Sequence, residues 1–84
     1  MITFTKHAQE KFRILARHKF FLKKKDILDT VVKPEKIDDS RFPLLIAQRK
    51  IDKNHVLRVV YKEEKSDLKI ITFYPGRIKQ YGQA

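Results

Sequence analysis

His55-Val56-Leu57-Arg58-Val59-Val60-Tyr61-Lys62 and Asp67-Leu68-Lys69-Ile70-Ile71-Thr72-Phe73-Tyr74 decide the fold. Both stretches alternate along their length and are rich in β-branched and aromatic residues, which suit a pleated, half-buried surface. The polar run Glu63–Ser66 between them predicts a hairpin loop. In the first stretch Leu57, Val59 and Tyr61 fall on one face and Val56, Arg58 and Val60 on the other. Both faces are largely apolar, so this is a central strand. The exception is Arg58, because a guanidinium on a central strand needs a carboxylate, a phosphate or open solvent. Pro75-Gly76 is expected to break the second strand, leaving the basic-aromatic tail Arg77-Ile78-Lys79-Gln80-Tyr81 exposed.

Working back toward the N-terminus, Leu44–Ile51 reads as another strand. Asp52-Lys53-Asn54 forms its turn into His55, since Asn tolerates left-handed backbone angles. Lys36–Phe42 reads as an acidic edge strand, ill suited to pairing with strangers. Before Pro34 the period is helical. Ile27, Leu28, Val31 and Val32 form the apolar stripe of a helix from about Lys24 to Val32. Asp26 and Asp29 sit near its positive end, and the proline stops it. An earlier helix runs from an N-cap at Thr5 to about His18, with Ala8, Phe12, Leu15 and Ala16 facing inward. Ile2–Thr5 is either a short strand or a lead-in. The expected architecture is α+β: two N-terminal helices packed on one face of a three- to four-stranded antiparallel sheet.

Eighty-four residues suit one domain spanning 1–84. An apolar fraction of 42 % suffices for its core. The absence of cysteine excludes disulfides and thiolate metal sites. No apolar run reaches membrane-span length, and the N-terminus lacks a signal-peptide hydrophobic region, so a cytoplasmic location is expected. The formal charge of +10 favours a polyanionic partner. Thermophile-like charging would enrich both signs, whereas Lys and Arg outnumber acids 20 to 10 here. The charge is also segregated: residues 6–25 are basic, 26–40 acidic, and 41–62 basic again.

Several pieces in this order, His7-Ala8-x-x-Lys11, Arg17-His18-Lys19-Phe20, Leu57-Arg58-Val59-Val60-Tyr61, and Ile70-Ile71-Thr72-Phe73-Tyr74 leading to Arg77 and Tyr81, resemble the RelE/BrnT-like toxin superfamily. The resemblance spans nearly the whole chain. It implies two helices against a curved antiparallel sheet, and an endoribonuclease toxin held inactive by a cognate, acidic antitoxin. The chain departs from the pattern where Leu15 stands in place of a second helix arginine, and in a longer, more basic connector.

On that reading the protein is a metal-independent RNA endonuclease acting on mRNA, with no cofactor. His7 or Tyr81 handles protons, because imidazole exchanges them near neutral pH. Arg58 and Arg77 hold the scissile phosphate. Arg13, Arg17, Lys23, Lys24, Lys25 and Lys79 steer RNA. Each residue has a plainer role as well. His7 can lock helix to sheet, Arg58 can pair with Glu63, Glu64 or an acid near 38–39, and Tyr74 can cap the core. The basic helix face can be merely solvated. His18 and His55 look less suited to chemistry. Histidines at 7, 18 and 55 give no metal-ligand spacing, and Ser40 and Ser66 lie in polar connectors. The alternatives are a non-catalytic nucleic-acid-binding module and a protein-interaction adaptor on the same fold.

Overall fold

The computed structural model describes residues 1–81. The chain runs β1 (Ile2–Phe4), α1 (Lys6–Ala16), α2 (Lys24–Val32), β2 (Lys36–Asp38), β3 (Leu44–Lys50), β4 (His55–Glu64), β5 (Asp67–Arg77) and α3 (Ile78–Tyr81). The fold is α+β, with the strands in one five-stranded sheet of order β1-β5-β4-β3-β2. β2 to β5 are antiparallel, and β1 adds a strand parallel to β5, so the sheet is mixed rather than wholly antiparallel. The lead-in at Ile2 thus closes an edge, pairing Ile2–Phe4 with Leu68–Ile70.

Local chemistry sets the helix ends. The Thr5 hydroxyl accepts the Ala8 N–H at 3.1 Å and donates to the Ile71 carbonyl at 3.0 Å, so one side chain both starts α1 and moors it to β5. α1 stops at Ala16, two residues short of the expected end. Lys19 adopts φ 66° and the Phe20 N–H returns to the Leu15 carbonyl at 3.0 Å, a left-handed C-terminal cap. α2 matches its sequence signals. Asp26 accepts the Lys23 N–H at 2.8 Å, satisfying a free donor of the first turn.

Ala8 and Leu15 of α1 and Ile27 and Val31 of α2 pack on Ala47, Leu57, Val59, Tyr61, Ile70 and Phe73. Phe12 lies 4.7 Å from Phe73, ring centre to ring centre. Full burial of side chains such as Phe73, Ile27 and Leu57 is worth about 1.5–3 kcal/mol each. Both helices therefore cover the sheet face that carries Leu57 and Val59, and Arg58 belongs to the other face.

β5 does not break at Pro75-Gly76. It continues to Arg77, with Leu57 opposite Pro75 and Val56 opposite Gly76. A proline is tolerated there because β1 pairs only as far as Ile70, leaving that length of β5 without a strand on its outer side. Past Arg77 the chain folds back as α3 instead of extending into solvent.

Candidate nucleic-acid interface

The helix-free face of the sheet is built around Arg58. Its Nη2 donates to Asp38 Oδ2 at 3.1 Å, its Nε to the Tyr74 hydroxyl at 3.1 Å, and its Nη1 to Gln48 Oε1. The register explains the cluster. Arg58 stands opposite Gln48 on β3 and Tyr74 on β5, and Asp38 stands opposite Ile46, one pleat along β3. Only 5 % of Arg58 is exposed. A guanidinium so enclosed is sustained by a carboxylate and neutral acceptors together, since a lone buried charge is costly. Of the alternatives open in sequence, the partner is the acid at 38. Asp38 is held down to about 2, chiefly by hydrogen bonds from Ser40, with Arg58 adding to them.

Tyr81 closes over this group. Its ring centre lies 4.1 Å from Arg58 Cζ, a cation–π distance, and 6.5 Å from the Tyr74 ring centre. The approach requires glycine at 76: a Cβ there would meet Tyr81 Cε2 at 2.4 Å. The aromatic tail thus lies on the sheet, a correction to the exposed tail expected from sequence. A cavity of about 390 Å³ opens beside the stack, lined by Asp38, Ser40, Arg41, Arg58, Tyr74 and Tyr81 among others.

The expected site residues separate into four groups. Arg58 and Tyr81 come together. His7 is exposed, and its Nε2 lies 3.1 Å from Thr72 Oγ1, at the α1 edge of the same sheet face, because Thr72 stands opposite Val60. Arg77 stands three residues beyond Tyr74, hence on the opposite pleat, and lines a different cavity with Lys53, His55 and Lys79. Arg58 and Arg77 therefore do not form one clamp. Arg13, Arg17, Lys23, Lys24 and Lys25 are exposed on or beside the helices, across the molecule from Arg58. Lys24 Nζ also sits 5.4 Å over the Phe4 ring.

The sequence reading passed over the cations that do share Arg58's face. Lys36 pairs with Gln48, Lys50 with Val56, Lys62 with Leu44 and Lys69 with Lys62, which places all four on the helix-free side. It also passed over Gln48, although a glutamine inside Leu44–Lys50 signals a polar demand within an apolar strand. Burial pushes the Tyr61 phenol up, with Glu63 adding, and that tyrosine belongs to the core. Among the described residues, no His, Asp and Glu side chains gather in a group of three or more that could hold a metal ion, and no helix is long and apolar enough to cross a membrane. Comparison with family models, curated proteins and solved structures found no match.

Proposed function

We propose that the protein binds single-stranded RNA on the helix-free face of its sheet. The observation that carries this reading is the Tyr81–Arg58–Tyr74 stack beside an open cavity, on a sheet face that also carries Lys36, Lys50, Lys62 and Lys69. Aromatic rings on a strand platform accept bases of any sequence, and the surrounding cations meet the phosphates. Arg58 holds the tyrosine pair in place; with Asp38 on its guanidinium it is a poor direct clamp for phosphate.

A second reading adds catalysis: a toxin-like, metal-independent endoribonuclease on the RelE/BrnT-like plan, checked by an acidic antitoxin. The His7 imidazole at the rim of the same face favours it, since a proton-exchanging group and the Tyr81 phenol then border one RNA path. Incubation with labelled single-stranded RNA separates the two readings. Salt-sensitive binding without product release supports the first, and cleavage lost in His7→Ala supports the second. No binding at low salt by folded protein would refute both.

A further inference from the structure

A second cavity with a cationic lining lies away from Arg58, at the end of the sheet. Its volume is about 410 Å³, and its walls are Lys53, Asn54, His55, Arg77, Ile78 and Lys79. Two chain segments make it, and they are bound together: His55 stands opposite Arg77 in the β4–β5 register, and the Ile78 N–H donates to the Asn54 carbonyl at 2.9 Å. The turn beneath is equally fixed. Asp52 Oδ1 accepts the Asn54 and His55 N–H groups at 2.8 Å each and lies 3.0 Å from His55 Nδ1. With Nδ1 donating to the carboxylate, Nε2 is the ring nitrogen left for a ligand, and it donates to an anion in the imidazolium form. Phe20 meets the same imidazole edge-on at 5.2 Å and limits its rotation.

Charge separates this cavity from the Arg58 cluster. There Asp38 neutralises the guanidinium. Here, among the described residues, no carboxylate lies within ion-pair range of Lys53, Arg77 or Lys79. Lys53, Arg77 and Lys79, an oriented imidazole and an Asn54 side chain on a hydrogen-bonded frame form a receptor for a compact anion with several acceptor oxygens.

The geometry points to a phosphate-binding subsite at Lys53, His55, Arg77 and Lys79, and its occupant is a phosphate of RNA. That the phosphate belongs to RNA rests on the function proposed above; the affinity for phosphate does not. Tyr81 and Lys79 stand on the same short α3, which thus joins the Tyr81 platform to the wall of this cavity.

Titration of the isotope-labelled full chain with inorganic phosphate, at constant ionic strength in chloride, tests the subsite by NMR. Saturable shifts are expected at the Asn54, His55 and Ile78 amides and at the His55 ring, with Tyr74 and Tyr81 unmoved. Arg77→Ala and Lys53→Ala, both at exposed positions, should each weaken binding about 10-fold. Shifts that grow linearly without saturating, or variants that bind as well as the parent, would overturn the assignment. RNA dinucleotides with and without a 5′-phosphate then identify the source. Competition by the phosphorylated form alone marks a terminal phosphate, and competition by both marks the backbone. Saturable phosphate binding that neither dinucleotide displaces refutes RNA as the occupant while leaving the anion site in place.

Discussion

Gly76→Ala gives the sharpest perturbation of the Tyr81 cap. The added Cβ would sit 2.4 Å from Tyr81 Cε2 and 2.5 Å from Cδ2, against about 3.5–4.0 Å for carbon atoms at rest. The ring must retreat by roughly 1 Å or more, and because it hangs from the end of α3 it moves more easily than the sheet. The stacking of Tyr81 on Arg58 is then lost, at a cost of about 0.5–2 kcal/mol. Alanine in place of glycine restricts the unfolded chain, returning about 0.4–1 kcal/mol. The net change is therefore small, from about 0.5 kcal/mol of stabilisation to roughly 1.6 kcal/mol of destabilisation. Chemical denaturation measures it, and a double-mutant cycle with Tyr81→Ala gives it a sign. With the ring gone, Gly76→Ala should stabilise the protein by about 0.4–1 kcal/mol. In parallel, the Arg58 Nε–H should exchange faster in Gly76→Ala than in the parent. A Gly76→Ala variant equally destabilising with and without the tyrosine ring, or one that leaves the Arg58 exchange rate unchanged, would refute the packing account.

Other expectations follow from the same geometry. Thr5→Ala removes both the α1 cap and the mooring to Ile71; it should cost about 1 kcal/mol or somewhat more by urea denaturation. Asp38 is depressed from its ordinary 3.8 to about 2, so its contribution to stability is intact above the ordinary value and fades as pH falls toward 2. Asp38→Asn should accordingly flatten the acid limb of the stability profile between those two values, a change read by thermal melts across acidic buffers. Lys62→Ala and Lys69→Ala should each reduce the slope of log K against log salt for single-stranded RNA by about 0.7. Arg13→Ala and Arg17→Ala, on the helix side, should leave that slope nearly unchanged.

α1, α2 and β2 to β5 were legible because their signals are local, although β2 ends at Asp38 and not at Phe42. Thr5, Asp26 and Pro34 mark helix ends, and the alternation from His55 to Tyr74 marks a hairpin. The pairing of faces was not. β4 and β5 meet across the turn with Glu64 opposite Asp67, but a bulge between Val60 and Tyr61 shifts the register by one residue. Counting from the turn without the bulge puts Arg58 opposite Phe73, whereas in the structure it stands opposite Tyr74. A one-residue slip exchanges the two faces of a strand, so which tyrosine and which cations surround Arg58 lay beyond reach of the periodicity. The parallel pairing of Ile2–Phe4 escaped for a related reason, since its partner lies more than sixty residues away and three residues hold too little pattern. Pro75-Gly76 misled because proline argues against a strand only where a neighbour needs its N–H. The glycine marked close approach of Tyr81 rather than a chain break.

The account stands on RNA lying against the helix-free sheet face. Mapping a short single-stranded RNA onto the isotope-labelled protein by NMR tests that most directly. The predicted footprint covers the Tyr74 and Tyr81 rings and the Lys62 and Lys69 side chains. A footprint confined to Arg13, Arg17 and Lys23–Lys25, with both tyrosine rings undisturbed, would contradict it.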